Sequence, residues 1–246
     1  MRAPVIALDG LGSSGKSSVG AAVAAALGLR FLDTGLLYRS LTWLALERGI
    51  DPADGRSVAP LAAEIDLGVD ETGRLTHVLV GGRDVAASIH TPRVDRSVST
   101  VARQPEVRAA LLGRQRAIAA AGGIVVAGRD IGSAVLPDAD VKVWIDASAE
   151  ERAGRRAAER GIDPASPAGV AILEDLRRRD AVDGSRAFSP ARAAHDAIHV
   201  RTDGNSFEET VGAVLAVVQA RTAAAPDPRT PAAPDPRTPA APEGQP

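Results

Sequence analysis

Residues 10 to 17 read Gly-Leu-Gly-Ser-Ser-Gly-Lys-Ser, the spacing at which a glycine-rich turn wraps its backbone N–H groups around an anion. A lysine after the last glycine neutralises the oxygens of a phosphoryl group in transfer, and the hydroxyl that follows is placed for Mg²⁺. Gly10, Leu11, Gly12, Ser13, Ser14, Gly15, Lys16, Ser17 and Ser18 are therefore the expected nucleotide cradle, with Lys16 catalytic and Ser17 the Mg²⁺ residue. The Asn-Lys-x-Asp sequence with which GTPases read guanine does not occur. The donor expected in this loop is ATP.

Two further groupings carry chemistry. Asp33-Thr34-Gly35 is followed by Arg39, so a hydroxyl and a guanidinium converge near a helix start; this is either a second anion site or a helix cap with a solvated arginine. Gly128-Arg129-Asp130-Ile131-Gly132 directly follows an apolar run, and residues just past the carboxyl end of a strand face the ligand crevice of an open α/β sheet. There Arg129 would grip a phosphate and Asp130 would accept from the amino group of a base. Asp146, ending the run Val141 to Ile145, reads either as a magnesium residue or as a cap of the next helix.

These residues need a scaffold, and the chain supplies short apolar runs alternating with helical patterns, the mark of an α/β domain with a parallel sheet. Strands are expected at Val5 to Leu8, Phe31 to Leu32, Ile124 to Ala127, Val141 to Ile145 and Ala197 to Val200. Helices are expected from Gly15, with Gly28 as the stop, and over Leu36 to Glu47, Pro105 to Ala120, Ala149 to Arg160 and Ser206 to Ala220. Residues 63–91 alternate around a turn at Glu71-Thr72-Gly73 and read as a small antiparallel insertion. Residues 152–186 are rich in arginine with no strong apolar face, which marks a movable lid. From Thr222 onward the octapeptide PDPRTPAA occurs twice in a Pro/Ala-rich stretch, expected to be disordered.

At 246 residues and 45% hydrophobic content the chain can bury a core. A net charge of −2 gives no basic field for nucleic acid or membrane, and there is no cysteine for a disulfide or thiolate site. The expectations are a cytoplasmic location, no membrane or nucleic-acid partner, and a monomer. Positive charge is carried by arginine almost throughout, the only lysines being Lys16 and Lys142, which makes the lysine of the loop more informative than a further arginine. His77, His90, His195 and His199 fall outside every motif and are expected at the surface or in packing.

The segments "LDTGLLYR", "VRAALLGRQR", "AGRDIGSAVLPDADVKVWIDAS", "EERAGRR" and "RRRDAVDGSRAFSP", in this order, resemble the bacterial cytidylate kinases of the nucleoside monophosphate kinase superfamily. The likeness runs over about residues 3–220. It implies a P-loop NTPase-type three-layer fold, with a kinase domain over 1–221, a CMP-binding insertion at 63–91, a lid within 152–186 and a tail at 222–246. It also implies ATP and Mg²⁺ as cofactors and CMP or dCMP as acceptor. By the same likeness Thr34, Arg39, Arg129 and Arg179 hold the acceptor phosphate, Ser99, Arg108 and Asp130 face the cytosine, and Asp183 and Arg186 approach the sugar. Arg152, Arg155 and Arg156 belong to the lid over ATP, with Arg152 and Arg156 counted with Lys16, Arg129 and Arg179 as catalytic. Leu11 stands where the family pattern has proline. A dianionic acceptor phosphate needs no general base. Two other readings stay open: a related kinase for UMP or a non-nucleotide acceptor, and a nucleotide-responsive scaffold using the repeat tail.

Overall fold

The computed structural model describes residues 3–184 and 191–223. The chain runs β1 (Val5–Gly10), α1 (Lys16–Leu27), β2 (Arg30–Asp33), α2 (Gly35–Glu47), a short α3 (Gly55–Val58), then β3 (Ile65–Val69), β4 (Leu75–Val80) and β5 (Arg83–Asp84). There follow α4 (Pro92–Val101), α5 (Pro105–Ala120), β6 (Ile124–Gly128), β7 (Val141–Asp146), α6 (Ala149–Glu159), α7 (Pro167–Gly184), β8 (Ile198–Arg201) and α8 (Phe207–Ala223).

Strand β1 is buried along its whole length, as a strand covered on both faces must be. Its side chains alternate between two cores. Ile6 and Leu8 join Val19 and Val23 of α1 and Val214 and Val218 of α8; Val5 and Ala7 join Ala119 of α5 on the other face. The result is a parallel five-stranded sheet of order β2-β6-β1-β7-β8 between helical layers. Asp9 is level with Gly128 on one side and Trp144 on the other, and Asp33 with Ala127. The phosphate loop, the Arg129–Asp130 segment and Thr34 therefore leave the sheet side by side.

The antiparallel insertion is present as β3-β4-β5. Its first turn is closed by Asp70, whose carboxylate accepts from the Thr72 and Arg74 amides and from the Thr72 and Thr76 hydroxyls. The insertion covers the free edge of β2: Phe31 N–H donates to Gly73 O at 3.1 Å, which removes an unpaired sheet edge. Helices α2 and α5 share a third core with it, including Leu37, Leu41, Ile65, Val78 and Leu111.

Three expectations are corrected. The 152–186 segment does have an apolar seam, Ala153 and Ala157 of α6 against Ile172 and Leu176 of α7. The four-residue spacing on each helix was legible, but alanine is small enough to be overlooked as core. Helix α8 runs past residue 221 to Ala223, where Thr222 Oγ1 still donates to Val218 O at 2.9 Å. Asp146 does not cap α6; the Ser148 hydroxyl does, accepting from Glu151 N–H. The remainder of the tail, 224–246, lies outside the described residues, as does Arg186.

Candidate active site

Helix α1 begins at the lysine of the phosphate loop, so its unpaired N–H groups and positive end face the loop's interior. Gly15 stands at φ +86°, a left-handed conformation that side chains other than glycine's disfavour. The loop's first turn closes through Leu11, whose carbonyl accepts from Ser14 N–H at 3.3 Å and from Lys16 Nζ at 3.0 Å. Leucine thus sustains the turn here in place of proline. Two arginines of α6 brace the loop from behind. Arg152, 3% exposed, donates to Gly12 O and Ala147 O and pairs with Asp180 at 2.6 Å; Arg155 donates to Ser14 O and to Thr202.

In front of the loop a cavity is lined by Gly12, Ser13, Lys16, Ser17, Asp33, Thr34, Gly35, Arg39, Arg108, Arg129, Asp130, Arg156 and Arg179, with His90, Val98 and Ala102 further along its wall. Burial, with Arg129 close by, pulls the Lys16 ammonium down to about 8, against the opposing pull of Asp33 and Asp9. Burial and the same Arg129 also lower Arg179. Arg179 makes no hydrogen bond or ion pair with any described residue, and its Nε is shut off from solvent. Cations that crowd one another closely enough to lower each other's pKa are a receptor for a multiply charged anion.

The next layer fixes those cations. Arg129 Nε lies 3.0 Å from the fully buried Asp183. Arg108 pairs with Asp130 by a short contact, both side chains nearly enclosed. Gly128 permits this crowding, since a Cβ there would sit 2.5 Å from the Ile131 side chain and 2.8 Å from Thr34 Oγ1. The Ser99 hydroxyl, one residue from Val98, is buried without a partner among the described residues. Thr34 spends both its N–H and its hydroxyl proton on Ala127 O, at 3.0 and 2.9 Å, which lashes β2 to β6 and leaves the hydroxyl oxygen as an acceptor.

The site therefore gathers Lys16, Ser17, Thr34, Arg39, Arg108, Arg129, Asp130, Arg156 and Arg179 as the sequence suggested. It does not gather Arg152, which the loop's own carbonyls draw behind the cradle, nor Asp183, which is sealed beneath Arg129. Ser18 is exposed and does not line the cavity. His90, expected outside the site, lines it, and burial together with Arg39 lowers its pKa.

Three carboxylates to which the sequence assigned no role also belong to the site or its support. Asp33 lines the cavity and accepts from Gly35 N–H at 2.8 Å. Asp95 pairs with Arg39 and Arg156. Asp9 ends the apolar strand β1 and accepts from Ile131 N–H and Gly132 N–H, each at 2.8 Å; burial pushes its carboxyl up to about 7 despite those two bonds. A polar residue closing a fully apolar strand was the available signal for Asp9. The donors near the loop, the Ser17 hydroxyl and the one Asp33 oxygen not given to Gly35, suit Mg²⁺, which takes few protein ligands and completes its shell with water and phosphate oxygens.

The family model for cytidylate kinase matches residues 6–220. A bifunctional pantoate ligase/cytidylate kinase of Synechococcus sp. (strain CC9902) is 42% identical over 90% of this chain and 46% of its own length. The chain thus spans about half the length of such bifunctional relatives. A cytidylate kinase of Herpetosiphon aurantiacus is 44% identical over 89% of this chain and 96% of its own. Among solved structures, a gluconokinase from Sinorhizobium meliloti 1021 is 16% identical with a TM-score of 0.47, covering 91% of this chain and 97% of that one.

Proposed function

The chain belongs to the cytidylate kinase family, and on that premise we propose that it transfers the γ-phosphoryl group of ATP to the phosphate of CMP or dCMP, giving ADP and CDP or dCDP. The observation that carries this reading is the crowded cation cluster of Lys16, Arg129 and Arg179 set between a phosphate loop and the Arg108–Asp130 pair. The loop would take the ATP phosphates, and Ser17 with Asp33 nearby would hold Mg²⁺, which when bound supplies further neutralisation of the phosphate charge. Arg39, Arg129 and Arg179 would hold the acceptor phosphate in line with the γ-phosphorus, with the Thr34 oxygen at the floor. Asp130 and Arg108 offer an acceptor and a donor at the far end of the cavity, the pattern that answers a cytosine amino group and carbonyl. The Ser99 hydroxyl lies beside them.

Catalysis then rests on position and charge. The acceptor is dianionic near neutrality, its second pKa being about 6, so no base has to be supplied and the lowered His90 has no proton to take. Helices α6 and α7 would form the lid over ATP, with Arg152 and Arg155 stiffening the loop beneath and Arg156 reaching past it to the acceptor side, where it meets Asp95 and Arg39. Residues 63–91 would shape the acceptor side. The reaction needs no nucleic acid, membrane or second copy of the chain, and the cytoplasm is its natural place. The deciding experiment is ADP release measured with CMP, dCMP, UMP, AMP and shikimate in parallel. CMP or dCMP is expected to outrun the others; equal or greater turnover of shikimate or AMP rejects the assignment.

A further inference from the structure

One carboxylate in this molecule is shared by three guanidinium groups from two walls of the site. Asp95, on α4, takes Arg39 Nη2 of α2 at 2.7 Å on one oxygen and, on the other, Nη2 of Arg156 in α6 at 3.1 Å and Nη2 of Arg160, the C-cap of α6, at 3.4 Å. Arg39 and Arg156 line the cavity; Arg160 is 44% exposed and does not. Among the described residues these are the only ion pairs joining α6 to α4, because the other charged groups of α6 turn elsewhere: Arg152 to Asp180, Arg155 to Glu151 and Glu150 to Arg177. Arg156 has no other hydrogen-bond partner among the described residues.

Arg39 and Arg156 belong to different elements, α2 and α6, and two guanidinium groups facing one cavity repel. Left to themselves, each side chain would swing toward water. Ile89 O takes Arg39 Nη1 at 3.3 Å, but only Asp95 holds both groups, a single anion that the two can share while each keeps further N–H groups for the cavity. Burial alone would raise the pKa of Asp95, but the hydrogen bond from Arg39 and the fields of Arg39, Arg156 and Arg179 hold it below the ordinary carboxylate value, so the clasp is charged throughout the neutral range.

We propose that Asp95 is a positioning residue for the acceptor: it draws Arg39 and Arg156 onto one carboxylate, so that the acceptor phosphate meets two guanidinium groups already set at a fixed separation. The proposal rests on the kinase reading above and concerns acceptor binding alone. ATP sits on the loop, where the braces are Arg152 and Arg155.

The test compares Asp95→Asn, Asp95→Glu and Arg160→Ala with the wild type in turnover and in CMP binding by titration calorimetry, with thermal unfolding followed alongside. If the wild type neither binds nor phosphorylates CMP, the kinase reading fails, and that result is distinct from any effect of the variants. Given wild-type activity, Asp95→Asn is expected to raise KM and Kd for CMP about tenfold while kcat and KM for ATP stay within about twofold. Asp95→Glu should recover part of the loss. Arg160→Ala, which leaves both cavity arginines in place, should weaken CMP about twofold at unchanged kcat. Unchanged or tighter CMP binding in folded Asp95→Asn, or losses spread evenly over CMP, ATP and kcat, overturns the proposal. Should Asp95→Asn not fold, Asp95→Glu and Arg160→Ala decide by the same split.

Discussion

The donor and acceptor halves of the cavity are held by different kinds of bond. Behind the phosphate loop, cations donate to main-chain carbonyls: Lys16 to Leu11, Arg152 to Gly12 and Arg155 to Ser14. On the acceptor side cations meet carboxylates: Arg39 with Asp95, Arg108 with Asp130 and Arg129 with Asp183. Arg152 and Arg155 are paired as well, with Asp180 and Glu151, but Lys16, the one of the three that lines the cavity, has only its carbonyl brace among the described residues, and such a brace fixes shape without cancelling charge. A carboxylate brace fixes position and cancels part of the field. The first suits a site that must attract a highly charged triphosphate, and the second a site that must discriminate among monophosphates of equal charge.

Removing cations from the donor half should therefore cost rate or fold, and altering pairs in the acceptor half should cost selectivity. The largest effect is expected for Lys16→Ala, about a 10³-fold loss of kcat, since a preorganised donor aimed at developing charge is lost; full CMP-dependent turnover in that variant would sink the mechanism. Arg152→Ala should act on the fold instead. It leaves Asp180 unpaired and Gly12 unbraced, and a loss of about 3 kcal/mol in unfolding free energy is expected, measurable by denaturant titration. Asp130→Asn is expected to cut the preference for CMP over UMP by about 10- to 100-fold, the worth of a hydrogen bond to a charged group, with ATP kinetics little changed. A loss of ATP affinity in that variant would dissolve the contrast between the halves.

The pH dependence gives the smallest and most local test. With its pKa at about 8, Lys16 is protonated below that pH, so kcat/KM for ATP, which reports the free enzyme, should fall as pH rises through 8. The plateau of kcat should extend higher, because bound phosphates hold the proton on. For Asp9 the folded value of about 7 lies above the ordinary 3.8. The unfolded chain releases this proton first, so the stability of the wild type relative to Asp9→Asn should be greatest below pH 4 and decline as pH rises to 7. A difference that stays flat over that range would show the carboxyl to be ionised throughout.

What the sequence disclosed follows from the range of the interactions. The phosphate loop is a local device, strand, turn and helix within 25 residues, and its pattern sufficed. The sheet strands were readable because β1 and β6 are buried on both faces and so appear as unbroken apolar runs. Helix α4 was missed although Thr91-Pro92 starts it, with Thr91 Oγ1 accepting from Val94 N–H and Val94, Val98 and Val101 buried. Its polar remainder hid that stripe. Asp9 with Ile131 and Asp95 with Arg156 join residues 122 and 61 positions apart, and such pairings have no local signature. The placement of Arg152 was obscured for another reason: in a chain whose cations are nearly all arginine, residue type does not separate a brace from a ligand.

The two amide bonds to Asp9 have a mechanical consequence. They rivet the strand that carries the phosphate loop to the segment that carries Arg129 and Asp130, so these two parts of the cavity share one rigid floor. On the proposed reading, the gap between donor and acceptor phosphates would be gauged from beneath by that floor, whatever closes above it.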